Sequence, residues 1–235
     1  MLRYFVITAL LTLALCPGCQ SPDRRDSSRL PEPPLATRSP EVPPVRPTPP
    51  PPPADDGITG RGRAAWIPPT GIKKSMWRVI VVHHSDSEKS TPQSMNQWHL
   101  QRGWENGLGY HFVIGNGVNT GDGQVYVGPR WKRQIQGAHC KTGAGRFFGL
   151  PRPSGFFNDR GIGICLVGDF ENSRPTAKQL AALTELIAFL SKECNIPATA
   201  VYGHGEVTRQ TLCPGKNFRI ADVRKRVTNA TAGSH

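Results

Sequence analysis

Residues 77–84 read WRVIVVHH, an apolar run rich in β-branched side chains that closes on two histidines. A run of this length and composition predicts a buried strand. Alternate side chains of a strand share a face, so Val79, Val81 and His83 point one way and His84 the other. His83 ends the strand, where a side chain can project from the sheet edge into a cleft. Outward from there, Ser90-Thr91-Pro92 predicts a helix start, with Pro tolerated in the first turn. Met95, Trp98 and Arg102 continue at helical spacing to Gly103. A second strand is expected at 110–114 (YHFVI) and a third at 124–127. Residues 141–159, rich in Gly, Pro and Phe without a period, read as a loop. GIGICLVGDF at 161–170 reads as another buried strand. The clearest helix is 174–195: Thr176 and Gln179 fit a capping box, and Leu180, Leu183, Leu186, Ile187 and Leu190 share one face. Val201-Tyr202 leads into Gly203-His204, and a last short helix is expected at 220–227. Strands and helices interleave, which makes the class α/β.

The 235 residues carry 29 Lys+Arg against 17 Asp+Glu, a formal charge of +12, with 25 Gly and 23 Pro. Twelve of the prolines fall in residues 31–53, and residues 1–57 are neutral, with six Arg against six acids. The surplus therefore belongs to residues 58–235. A neutral Pro-rich stalk is joined to a basic body long enough for one domain with a real core. Collagen, a multi-spanning membrane protein and a chain disordered throughout are excluded.

Residues 1–19 read as an export signal: Arg3, then an apolar stretch at 4–15, too short for the roughly 20 residues that span a bilayer. The Gly18-Cys19 step resembles the bacterial lipoprotein signal, in which the Cys receives lipid, although Cys16 stands where that pattern favours Leu. An ordinary cleaved signal peptide is the plainer reading. Residues 20–57 have too little apolar surface to fold, and their prolines favour an extended, disordered spacer of roughly 3.1 Å per residue. The folded domain is expected at 58–228, followed by a flexible tail at 229–235.

Within the body, His83, His204 and Cys213 could bind a borderline metal. His204 and Cys213 lie nine apart in what reads as a loop, GHGEVTRQTLCPG. Two His and one Cys suit Zn²⁺ and leave a fourth position for water, as in a catalytic site. Spacing alone is weak evidence for a metal, and by itself it favours structural histidines and disulfides.

Five blocks in order, VVHHS, GWENGLGYHFVI, GAHCKTG, NDRGIGICLVGDF and GHGEVTRQTLCPG, resemble the zinc-dependent N-acetylmuramoyl-L-alanine amidases of the type-2 amidase family, relatives of the peptidoglycan-recognition proteins. The resemblance implies a single domain with a central mixed β-sheet flanked by helices, a peptidoglycan groove and one Zn²⁺ at its floor. The implied reaction is hydrolysis of the amide between N-acetylmuramic acid and L-alanine of the stem peptide. His83, in preference to His84, resembles the first zinc ligand, His204 the second and Cys213 the third. Tyr110 resembles the catalytic tyrosine and Thr211 a second catalytic donor. The family spacing of the last two ligands is eight, so the extra residue here bears on the aim of Thr211. Glu206 either orients the His204 imidazole from a second shell or is a solvated loop acid. His139 and Asn158 are expected to contact substrate, and His139 is the rival ligand to His83.

His111 and His99 read as structural histidines. Cys165 reads as a small hydrophobe in its strand, while Cys140 and Cys194 could pair in an oxidising compartment. Arg130, Lys132, Arg133, Lys141, Arg146 and Arg152 are expected to rim the groove and attract the carboxylates of muropeptides. The expected partners are peptidoglycan or its fragments and a membrane reached through the lipid at Cys19. Nucleic acid is not expected, and the chain should be a monomer of the bacterial cell envelope. The competing reading is a module that binds muropeptides without cutting them.

Overall fold

A computed structural model describes residues 62–141, 143, 145–147 and 150–232, all within one compact unit. The signal, Cys19, the Pro-rich linker and the last three residues lie outside the described residues.

After a 3-10 turn at Arg63–Trp66 the chain forms β1 (Val79–His84), α1 (Pro92–Gln101), β2 (Phe112–Ile114), β3 (Val125–Val127) and α2 (Pro129–Arg133). The hairpin β4 (Gly145–Phe147) and β5 (Leu150–Arg152) follows, then α3 (Phe156–Asp159) and β6 (Gly161–Leu166). The long helix α4 (Ala177–Cys194), β7 (Val201–Gly203), α5 (His204–Thr208) and α6 (Ile220–Ala232) complete it. The main sheet has the order β3-β2-β6-β1-β7, and only β3 runs antiparallel to its neighbour. This is the expected α/β class with a central mixed sheet flanked by helices.

Sequence dictates these elements locally. Thr91 Oγ1 accepts the Ser94 N–H while Ser94 Oγ accepts the Thr91 N–H, and Pro92 occupies the first turn of α1. At α4 the Thr176 hydroxyl accepts the Gln179 N–H at 2.9 Å and Gln179 Oε1 returns the bond. Gln179 Nε2 also donates to the carbonyls of Ile114 and Val167, which pins the helix start to the edge of β2 and β6. Leu183, Leu186, Ile187 and Leu190 of α4 are fully buried. Each stabilises the fold by roughly 1.5–3 kcal/mol relative to exposure. They join Ile80 and Val82 of β1 and Val223 and Val227 of α6 in the main core. The alternate residues Val79 and Val81 face the other side, against Cys140 and Phe157. That second face has only small apolar clusters, and it carries the polar residues described below.

The structure departs from the sequence-based expectations in several places. Residues 141–159 are not featureless: β4, β5 and α3 lie there, too short to show a period. The segment after Gly203 opens with α5, a single short helix. The strands expected at 110–114 and 161–170 are trimmed to Phe112–Ile114 and Gly161–Leu166, and α2 was not foreseen. Cys140, Cys165, Cys194 and Cys213 are all free thiols, so Cys140 and Cys194 are unpaired; they sit in different core clusters. Arg130 does not rim a groove. It is buried, with Nε and Nη1 donating to the carbonyls of Leu108 and Gln136.

Candidate metal centre and active site

Ligands of open α/β sheets gather at the carboxyl ends of the strands, and the candidate donors sit there. Val82 of β1 pairs with Gly203 of β7, so the next residues along each parallel strand, His83 and His204, emerge side by side. Their rings lie 4.5 Å apart. Cys213 reaches the same point although it is nine residues beyond His204. α5 ends with Arg209 in a left-handed conformation (φ 58°), and the chain then returns until the Gly205 N–H donates to the Cys213 carbonyl at 2.6 Å.

The three donor atoms of His83, His204 and Cys213 lie within 4.8 Å of one another. His83 Nδ1 is 3.9 Å from Cys213 Sγ, against about 3.6 Å for N and S donors on one tetrahedral zinc ion. The residues present therefore fit the ion. The sulfur also accepts the His84 N–H at 3.4 Å, a bond that favours thiolate. Burial nevertheless pushes the Cys213 thiol up to about 12, so metal binding must displace its proton. Burial lowers His204 to about 4 and holds His83 well below the ordinary range, so both imidazoles are neutral and able to ligate at pH 7. His84 is directed elsewhere: its Nδ1 accepts the Phe170 N–H at 3.1 Å.

Tyr110 lies beside the donors, its ring centroid 5.2 Å from that of His83. Burial raises its hydroxyl well above the usual range and the hydroxyl is hydrogen-bonded to Cys165, so it remains a proton donor. Thr211 Oγ1 accepts the Cys213 N–H at 3.1 Å, which leaves its own hydrogen available.

Glu206 bonds the backbone one residue before His204. Glu206 Oε2 accepts the Gly203 N–H at 2.8 Å at the start of α5 and pairs with Arg224 at 2.7 Å. The remaining expected residues take up structural contacts. His139 is buried, with its Nδ1 3.1 Å from His83 Nε2. Asn158 Oδ1 accepts the N–H groups of His139 and Cys140, and its Nδ2 donates to the Cys140 carbonyl. His83, His139 and Cys140 thereby form a second, wholly buried donor group that shares His83 with the first. His111 is fully buried between Gly163 N–H and the Ile135 carbonyl, and His99 stacks on Trp104 with centroids 4.4 Å apart.

A family model described as Amidase_2, N-acetylmuramoyl-L-alanine amidase, matches residues 73–216. Peptidoglycan-recognition protein LB of Drosophila melanogaster is 34% identical over 147 residues, covering 58% of this chain and 53% of the relative, so the chain spans about half of that protein. An N-acetylmuramoyl-L-alanine amidase of Sus scrofa is 30% identical over 126 residues, covering 52% of this chain and 17% of the relative. Among solved structures, the N-acetylmuramoyl-L-alanine amidase LysC from Clostridium intestinale aligns at 31% identity and a TM-score of 0.53, covering 66% of this chain and 87% of that one.

Proposed function

The chain belongs to the N-acetylmuramoyl-L-alanine amidase family, and on that premise we propose that it is a zinc-dependent amidase cutting between N-acetylmuramic acid and the L-alanine of peptidoglycan stem peptides. The observation that carries this reading is the donor set of His83, His204 and Cys213, buried at His83 and partly exposed at His204, with Tyr110 against it. His83, His204 and Cys213 would hold a zinc ion there, which would supply Lewis acidity toward the scissile carbonyl and lower the pKa of a water. The wholly buried group of His83, His139 and Cys140 lacks the open position that such chemistry needs.

The chain's own residues do the rest. Tyr110, held protonated, donates to the oxygen on which negative charge develops, and Thr211 O–H offers a second donor there. The neutral imidazoles of His83 and His204 and the Cys213 sulfur hold the ion. Glu206 stiffens the strand-to-helix junction that presents His204. The exposed Leu212, beside Cys213 at the rim, offers apolar surface to the peptide.

The resemblance to a recognition protein favours a second reading, in which muropeptides are bound and not cut. One experiment separates the two. The purified protein is incubated with muropeptides, with and without a chelator, and free stem peptides are sought by mass spectrometry. Chelator-sensitive release supports the amidase; binding without release supports the recognition module.

The same proposal covers the parts outside the described residues. The protein is exported, carries lipid on Cys19, and works as a monomer in the bacterial envelope in wall remodelling or recycling. Residues 20–57 space the domain from the membrane. Loss of labelled fatty acid in Cys19→Ala tests the anchor.

A further inference from the structure

His139 is tied to the donor set by a chain of contacts whose polarity can be deduced atom by atom. Its Nε2 lies 3.3 Å from the Gly161 carbonyl oxygen. A carbonyl only accepts, so Nε2 carries the hydrogen and the neutral ring presents Nδ1 as an acceptor. His83 Nε2 lies 3.1 Å from that Nδ1 and must therefore be the donor. A neutral His83 with hydrogen on Nε2 has its lone pair on Nδ1, and Nδ1 is the atom facing Cys213 Sγ. The Cys140 thiol, 3.3 Å from His139 Nδ1, converges on the same acceptor as a second, weaker donor.

The place for this ring is built. Side chains on Gly137 or Gly163 would overlap His139 Cδ2, so the two glycines form a slot that only an absent Cβ leaves open. Asn158 clamps the backbone on either side of the His139–Cys140 peptide with three hydrogen bonds of 2.7–2.9 Å. Ring plane and ring height are both set before any ligand arrives.

We propose that His139 is a positioning residue, not a substrate contact: relaying the Gly161 carbonyl, it fixes the tautomer and orientation of His83 so that Nδ1 is the metal-ligating atom, and Asn158 holds it there. The inference rests on the zinc reading only for what the lone pair serves; the tautomer itself belongs to the metal-free protein.

The test uses two variants and two measurements. In His139→Asn, Oδ1 restores an acceptor near the position of Nδ1; in His139→Leu, none remains. Zinc affinity by chelator competition should fall about 10- to 100-fold in the Leu variant and recover most of that loss in the Asn variant. A merely structural role would penalise both alike, since both remove the ring. Long-range ¹H–¹⁵N NMR on the metal-free wild type should show His83 with hydrogen on Nε2. Wild-type zinc affinity in His139→Leu, equal losses in both variants, or a His83 hydrogen on Nδ1 would each overturn the proposal. If the Leu variant does not fold, the wild-type NMR and the Asn variant decide. Failure to release stem peptides, with the tautomer and affinity pattern intact, would remove the amidase reading alone.

Discussion

Gly205 N–H and the Cys213 carbonyl meet at 2.6 Å, and that one bond closes the excursion between the second and third donors. A Cβ on Gly205 would lie 2.5 Å from the Thr211 carbonyl and 3.1 Å from that of Cys213, both backbone atoms that cannot swing aside. Gly205→Ala should therefore open the loop and pull Cys213 from His83 and His204. Since the loop lies outside the main core, we expect zinc affinity to fall at least tenfold while the thermal midpoint moves by only a few degrees. Unchanged affinity would show that the bond does not set the donor spacing.

Tyr110 keeps its proton because its hydroxyl is buried beside neutral thiols. Its ring lies against His83 but is outside the donor set. Tyr110→Phe should bind zinc as the wild type does and lose about 10²- to 10³-fold in kcat on muropeptides, the usual effect of deleting one oxyanion donor. Zinc content by mass spectrometry together with steady-state rates separates this from a loss of metal.

Parts of this site are legible in the sequence, and the reason is local. The run 77–84 announces a buried strand, and period-two alternation separates His83 from His84. Thr176 and Gln179 declare the start of α4 within four residues. What is not legible depends on distant parts of the chain. His139 is set at the groove by the resemblance of GAHCKTG alone, and nothing nearby in the sequence reveals that Gly137 and Gly163 leave a slot for its ring, or that His83, 56 residues away, lies beyond it. The glycine alternation in GIGIC was the available signal. Glu206 could not be separated from a solvated acid until Arg224, 18 residues on, was brought to it by α6. Arg130 reads as surface charge because a buried guanidinium requires two carbonyls that only the fold supplies.

Buried histidines, His99 and His111 outside the donor set among them, make stability sensitive to acid. Burial holds His99 and His111 at about 4 in the folded state, whereas an unfolded histidine titrates near 6.5. Between those values the unfolded chain binds protons that the folded chain does not, so stability falls as pH drops below about 6.5 and levels off below about 4. For the fully buried His111 the complete shift corresponds to roughly 3 kcal/mol. Urea midpoints taken with chelator present, so that metal loss does not contribute, should decline steadily between pH 7 and 4.5. A flat profile over that range would contradict the burial argument.

A single carboxylate ties together the loops that follow three neighbouring strands. Glu88, after β1, accepts the Asp169 N–H at 3.1 Å and the Ser173 hydroxyl at 2.6 Å on Oε1, and the Asn116 side-chain amide at 2.9 Å on Oε2. Asp169 follows β6 and Asn116 follows β2, so the bonds knit the carboxyl edge of the sheet beside the donor set. The Ser173 bond, followed by those from Asp169 and Asn116, holds the Glu88 carboxyl below its ordinary value despite partial burial. Its contribution is thus present above about pH 4.5 and lost as pH falls through the depressed folded value. Glu88→Ala leaves the Asp169 N–H without its acceptor, whereas Ser173 and Asn116 keep bonds to the Asp169 and Glu88 carbonyls; it should cost about 1–3 kcal/mol at pH 7, with Glu88→Gln costing less because an acceptor remains. The gap between wild type and Glu88→Ala should narrow below pH 4, a window separate from that of the histidines. Zinc affinity should stay within about threefold of wild type, because the donors are held by β1, β7 and the Gly205 bond; a larger loss would mean that the edge loops also set the metal geometry.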